Sequence, residues 1–388
     1  MSALPPPSAE ALAHSARVSE TIHARIASAG GWIPFAQFME LALYAPGLGY
    51  YTAGAAKFGA AGDFVTAPEL TPLFGRTLAR SVAAVLADTG GGVLELGAGS
   101  GRLAVDLLLE LERLGRLPAR YSILDLSADL RERQREAILD GAPHLLERVH
   151  WLDCLPDRFD GIVLGNEVLD ALPVHLVHWT DDGVMERGVG SLPPVPGEGL
   201  QFAWLDRPIE SGRLGDAVAA LPVRGDYLSE INLAAPALIT SLAGCLQRGV
   251  LLFIDYGFPR AEYYHPQRHM GTLRAHYRHH ALDAPFHLPG LCDLTAHVDF
   301  TAVAGVGLDA GLELLGYTSQ ASWLLDAGLL ELMQALTPMT PEYLRAASAV
   351  QKLVQPQEMG ELFKVIALGR GLAGPLPGFG RGDRRGAL

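Results

Sequence analysis

Apolar residues follow two different periods along this chain. Near the start they recur at helical spacing, from Ala11 to the Gly30-Gly31 stop. The same spacing returns at Phe35, Phe38, Met39 and Leu41, just after Pro34, a residue suited to a first helical turn. A third helical stretch, roughly 68–87, carries Leu73, Leu78, Val82 and Val85. This first quarter predicts helices and loops without clear strands. Beyond Gly90 short apolar runs take over at 93–96, 121–124, 149–152, 161–164 and 250–254. A helical pattern from Arg102 to the stop at Gly115 follows the first run, and the charged segment ADLRERQREAIL follows the second. Late strands are expected near 314–318 and 362–368. Strands alternating with helices at this spacing predict βαβ units, a mostly parallel sheet and an α/β fold.

Two stretches interrupt the alternation. Within 174–224, HLVHWTDDGVMERGV predicts a hairpin turning at Asp182-Gly183, and the Pro/Gly-rich SLPPVPGEG follows it. Residues 258–300 are rich in His, Tyr, Pro and Arg. Long irregular segments in a compact α/β domain read as functional loops or lids. The tail from 371 to 388, rich in Gly, Pro and Arg, is expected to be loose.

Composition narrows the function. The 388 residues are 49% hydrophobic and 19% charged, enough to bury a core. A net charge of -13 argues against a general binder of nucleic-acid backbone, which needs a basic face. Cys154, Cys245 and Cys292 lie far apart without a CxxC pair, so neither a disulfide framework nor a Cys-rich zinc site is expected. No apolar run approaches the roughly 20 residues that span a bilayer. The first residues show neither a secretory signal nor the Arg-rich, acid-poor character of a transit peptide. These features predict a soluble intracellular protein that binds no metal. HYRHH, with His276, His279 and His280, comes with no suitably spaced acid, and loop packing accounts for it better than a metal does.

The sharpest motif is ELGAGSG, directly after the first parallel strand. Gly97, Gly99 and Gly101 permit a tight turn and close approach of a ligand to N–H groups at a helix start. A dinucleotide fingerprint would need glycine at 102, where Arg102 stands. The acid-x-G-x-G-x-G form headed by Glu95 instead resembles the first motif of class I S-adenosylmethionine methyltransferases. A purely structural turn is the alternative. Asp125 ends the second strand, where an acid commonly holds ribose hydroxyls; it could also cap the next helix, although Ser127 is better placed. Asp153 ends the third strand, as an acid near an adenine amino group or as a surface turn. The fourth run ends in GNEVLDALPV, where Asn166, Glu167 and Asp170 interrupt apolar sequence and call for polar partners. Two carboxylates there suit a cationic nucleophile, or Asn166 and Glu167 simply start a helix. His297 and Asp299 either overhang a cleft or cap a helix.

YAPGLGYY, GDFVTAPEL, ELGAGSG, GNEVLDALPV, FIDYG, DLTAHVDF and GELFKVIA occur together and in order. Together they resemble the MidA-like family, that of the mitochondrial complex I assembly factor which methylates an arginine of a complex I subunit. The similarity spans roughly residues 20–370. It implies a class I methyltransferase Rossmann-like sheet at 89–370, insertions near 174–224 and 258–300, and a helical N-terminal region, 1–88, covering the cofactor site. It also implies S-adenosyl-L-methionine as cofactor, with Asp63, Phe64 and Thr66 approaching from the N-terminal side. Asp125 stands where relatives more often carry glutamate. A protein arginine, in a complex I subunit, is the substrate the resemblance implies; the rival is an assembly protein that binds cofactor but acts by docking a partner.

Overall fold

The computed structural model describes residues 4–53, 66–193 and 200–388. They form two compact units, each assembled from three separate segments.

The larger unit comprises Val65–Leu169, Leu238–Arg260 and Val298–Leu388. Its sheet runs in the order Glu313–Ser319, Phe363–Arg370, Leu246–Phe258, Phe159–Asn166, Gly92–Leu96, Tyr121–Leu124, Val149–Leu152, with Val298–Asp299 added beside Leu246–Phe258. The five consecutive strands from Leu246–Phe258 to Val149–Leu152 are parallel. Phe363–Arg370 runs antiparallel to both of its neighbours, Leu246–Phe258 and Glu313–Ser319. From Gly92–Leu96 the chain steps outward to Tyr121–Leu124 and Val149–Leu152, then returns to pair Phe159–Asn166 on the opposite side. That reversal leaves a crevice at the carboxyl ends of Gly92–Leu96 and Phe159–Asn166, where open α/β sheets bind ligands.

These strands form because they are buried on both faces. Ile162, Val163 and Leu164, and every residue from Val250 to Ile254, are at most 1% exposed. Helix Arg102–Arg113 turns Leu103, Leu107, Leu108 and Leu111 inward and helix Pro72–Thr89 turns in Phe74, Leu78, Val82 and Val85. The expected strands are all present, and two are longer than their apolar runs. Phe159–Asn166 extends to include Asn166, and Leu246–Phe258 continues past Asp255, because neighbours pair with them along that length.

The boundary expected at residue 88 falls earlier. Thr66 to Thr89 belong to the larger unit, whose core takes Ala67 and the buried face of Pro72–Thr89. The tail also departs from expectation. Leu376 and Phe379 are buried, Arg384 N–H donates to Tyr317 O (2.6 Å) and Gly380 N–H to Asp326 Oδ2 (2.8 Å). Leu376 and Phe379, easily overlooked among glycines and arginines, anchor it.

The smaller unit comprises Met1–Phe64, Asp170–Ala237 and Ala261–His297. The segments expected as irregular insertions carry antiparallel sheet instead. Val174–Thr180 and Gly183–Ser191 form the predicted hairpin, with Asp181 and Asp182 in the turn and Thr180 facing Gly183, one residue earlier than expected. Tyr227–Asn232, Phe202–Pro208 and the two-residue strand Ile33–Pro34 complete this sheet, so the first quarter is not strandless. Arg274–Tyr277 pairs with His280–Leu282 and Asp293–Thr295 in a second sheet. Val18, Ile22 and Ile26 of Ala9–Ser28 pack with Phe35, Phe38, Val174, Tyr277 and Leu294. Glu230, 2% exposed, fixes the His-rich stretch: Oε1 accepts from Thr272 and Leu273 N–H (2.8 Å each), and Oε2 from Tyr263 Oη and Thr272 Oγ1 (3.1 Å each).

Removing the tail's aromatic anchor tests its packing. Phe379→Ala is expected to destabilise the larger unit by about 3 kcal/mol, read as a shifted denaturant midpoint at unchanged slope. A loose tail would leave the midpoint unmoved.

Candidate active site

At the end of Gly92–Leu96 the chain enters its glycine turn, with φ of +58° at Gly97, +55° at Gly99 and +82° at Gly101. Gly97 N–H donates to Leu124 O at 2.9 Å, which ties the turn to the neighbouring strand. At Gly101 a side chain is excluded twice over, by the left-handed backbone and by the Cα of Gln134, 2.9 Å from where a Cβ would stand. Ser100 Oγ donates to Glu69 Oε1, so the residues after Thr66 brace the turn. Thr66 itself is buried at the start of Ala67–Leu70. Asp63 and Phe64 lie outside the described residues.

Glu95 is 3% exposed and accepts from Tyr121 Oη at 2.6 Å. Burial pushes its carboxyl up to about 7; the Tyr121 hydrogen bond opposes this and the Asp125 charge adds to it. Asp125, 6% exposed, ends Tyr121–Leu124. Its Oδ1 accepts from Ser127 N–H (2.9 Å) and its Oδ2 from Gln134 Nε2 (2.8 Å). The cap of Ala128–Gly141 is Ser127, whose Oγ accepts from Leu130 N–H, so Asp125 is not needed there. Asp153 is an exposed rim residue paired with Arg131 Nη1 at 2.7 Å. The same guanidinium donates to the carbonyls of Asp125 (2.8 Å) and Leu152 (2.7 Å), fastening the ends of the second and third parallel strands together.

Across the crevice, Phe159–Asn166 ends in a strained corner. Glu167 has φ +54°, a conformation costing a non-glycine residue about 1 kcal/mol or more. Its N–H donates to Ile254 O (2.8 Å), and its Oε1 accepts from Asn166 Nδ2 (3.2 Å). Asp255, fully buried, holds the following turn: its Oδ2 accepts from the Val168 (3.1 Å) and Leu169 (2.8 Å) N–H groups. Asn166 Oδ1 is buried with no hydrogen-bond partner among the described residues. A buried acceptor in this condition costs about 1–3 kcal/mol, which a donor on a ligand would relieve.

The structure thus brings Asn166 and Glu167 together and sets Glu95, Gly97, Gly99, Gly101, Asp125 and Asp153 around the adjoining strand ends. Asp170 belongs to the smaller unit, where its carbonyl accepts from Ala296 N–H at 3.0 Å. In that unit Tyr51 Oη donates to Asp293 Oδ1 (2.8 Å). Burial, then the charge of Asp293, raises the Tyr51 phenol well above its usual range. Asp299 resolves as a helix cap: its Oδ1 accepts from Ala302 N–H at 3.1 Å, and Arg260 pairs with it. His280 Nδ1 lies 2.7 Å from Arg278 O, and among the described residues no group of His, Cys, Asp and Glu is gathered to hold a metal. Sequence reasoning missed Gln134, Arg131, Glu69 and Asp255. Two carried a signal: Gln134 interrupts the buried stripe of Leu130 and Ile138, and Asp255 breaks an apolar strand run.

Comparison with known proteins agrees with this arrangement. The model of a family of S-adenosyl-L-methionine-dependent methyltransferases matches residues 74–318. A solved COG1565 superfamily member from Burkholderia thailandensis, bound to S-adenosyl-homocysteine, is 50% identical, covers 100% of both chains and superposes with a TM-score of 0.95. Two mitochondrial proteins named protein arginine methyltransferase NDUFAF7, from Danio rerio, and its homolog from Drosophila melanogaster, are each 28% identical. The alignments cover 91% and 94% of this chain and 88% and 87% of theirs. The chain belongs to this MidA-like family of methyltransferases, with the class I fold. Its cofactor is S-adenosyl-L-methionine. The residues fit that group: a turn built on three glycines with left-handed backbone and a buried acid at the second strand end.

Glu95 makes a pH signature. Its folded pKa lies above its unfolded one, so the native state keeps a proton that the unfolded chain releases. Stability from this group therefore falls as pH rises from about 4.5 to about 7, by on the order of 3 kcal/mol, and stays low above. Glu95→Gln is expected to remove that decline in denaturation series between pH 5 and pH 8, while parallel curves for the two proteins would show Glu95 ionised in the fold.

Proposed function

We propose that this methyltransferase acts on an arginine side chain of a protein, with a subunit of respiratory complex I as the acceptor class the family resemblance suggests. The observation that carries the reading is the pairing of Asn166, whose buried Oδ1 lacks a partner among the described residues, with the strained Glu167 at the sheet's reversal point. Both present acceptors, and a guanidinium is a planar array of N–H donors with no acceptor of its own. The names of the 28% identical mitochondrial relatives support the same substrate. A bacterial chain working in the cytoplasm is the setting proposed, and the half-identical relative is from a bacterium, Burkholderia thailandensis.

S-adenosylmethionine, when bound, supplies a methyl group already activated by its sulfonium, so this chain's residues contribute mainly orientation. A guanidinium stays protonated up to about pH 12 and spreads its electron density over three nitrogens. Glu167 pairs with that charge and accepts the proton released as a nitrogen becomes substituted. Asn166 Oδ1 takes a second N–H, which fixes the plane of the group. Asp170, three residues further along, is assigned to the acceptor on sequence position alone. Glu95, Gly97, Gly99, Gly101, Asp125 and Asp153 hold the cofactor, with Asp63, Phe64 and Thr66 as further candidates.

The test uses the full chain, methyl-labelled cofactor and proteins carrying exposed arginines. Label should appear on arginine after hydrolysis. Asn166→Ala and Glu167→Gln should each lower turnover about a hundredfold with S-adenosylhomocysteine affinity nearly unchanged. Wild-type turnover in both variants, or label on another residue, overturns the reading. Cofactor binding without any transfer would favour a partner-docking role.

A further inference from the structure

Gln134 sits at mid-length in Ala128–Gly141 with no exposed surface. A buried primary amide has two hydrogen-bonding ends of opposite sense, and here neighbours fix which end points where. Trp151 Nε1 can only donate, and it lies 2.9 Å from Gln134 Oε1. That contact commits the amide nitrogen to the other side, where it meets two acceptors: Asp125 Oδ2 at 2.8 Å and Gly99 O at 3.2 Å. The indole is held in turn by the Arg135 guanidinium, 4.4 Å over its ring. One side chain therefore links the third parallel strand, the acid ending the second, and the middle of the glycine turn. With Ser127 N–H on Oδ1 and Gln134 Nε2 on Oδ2, the Asp125 carboxylate is held from both oxygens and cannot rotate.

We propose that Gln134 is a positioning residue for the cofactor: oriented by Trp151, its amide presets the Asp125 carboxylate and the Gly99 carbonyl, and so sets how strongly the site selects for a ribose carrying both hydroxyls. The inference rests on Asp125 being the ribose ligand. A carboxylate at 134 would face Asp125 charge to charge, and leucine would leave Trp151 N–H and Asp125 Oδ2 each short of a partner.

The experiment compares binding of S-adenosylhomocysteine and its 2′-deoxy analogue by calorimetry in the full chain and in Asp125→Asn, Gln134→Leu, Trp151→Phe and the Asp125→Asn/Gln134→Leu double variant. The readout is the ratio of the two affinities, which a general loss of folding or pocket shape would not move selectively. Wild type should favour the intact ribose. Gln134→Leu should cut the ratio about tenfold, Trp151→Phe should cut it less, and the double variant should be no worse than Asp125→Asn alone. If Asp125→Asn leaves the ratio unchanged, the ribose assignment itself fails. If Asp125→Asn collapses the ratio but Gln134→Leu preserves it, the ribose assignment stands and the role of Gln134 is overturned. Should Gln134→Leu not fold, Trp151→Phe decides, and an unchanged ratio there overturns the proposal.

Discussion

A carboxylate with no exposed surface, set in the middle of a parallel sheet, must be surrounded by donors or stay protonated. Asp255 meets that constraint by capturing the backbone N–H groups of Val168 and Leu169 beside the end of Phe159–Asn166. Because its strand pairs directly with Phe159–Asn166, the same register that brings Ile254 opposite Asn166 also places Ile254 O against Glu167 N–H. The corner at Glu167 is thereby held open against its own backbone preference. Strain of this kind persists only where the surroundings over-determine it. Here the surroundings are a strand buried on both faces and a buried acid that holds the N–H groups of the following turn.

The opposite side of the crevice depends on the same economy of buried polar groups. Burial raises the Glu95 carboxyl to about 7, against the hydrogen bond it takes from Tyr121. Asp125, one strand over, is instead supplied with backbone and amide donors. Two acids a few residues from one glycine turn are thus given different tasks by their neighbours. The acids' residue type was readable in the sequence, whereas their neighbours were only partly so.

That contrast explains what could be read in advance. The parallel strands and the glycine turn were legible because burial on both faces writes continuous apolar runs, and because only glycine tolerates the φ at Gly101. The positions of Asp125 and Asn166 followed from where those runs stop. Gln134 was harder, since its partners Trp151, Asp125 and Gly99 are brought together only by the sheet's parallel stacking. Nothing local marks Glu167 for a left-handed backbone. Beyond its helices and the hairpin, the smaller unit was misread as loops because the remaining strands are short or half-exposed: Phe202–Pro208 is largely solvent-facing, and Arg274–Tyr277 lies in a stretch full of His, Tyr and Pro. Glu230, which organises that stretch, looks like any acid in YLSEIN until the donors of Thr272 and Leu273 arrive from forty residues away.

The interleaving of the two units has a consequence for how the chain is made. Phe363–Arg370 lies between Leu246–Phe258 and Glu313–Ser319, so the large sheet lacks an interior strand until nearly the whole polypeptide has left the ribosome. The smaller unit likewise waits for Asp293–Thr295 to pair with Arg274–Tyr277. Neither unit can therefore be finished during synthesis in the order its residues appear, and pairings so distant along the chain close slowly. Until they do, Leu246–Phe258 presents a thirteen-residue strand, apolar from Val250 to Ile254, with one edge unsatisfied.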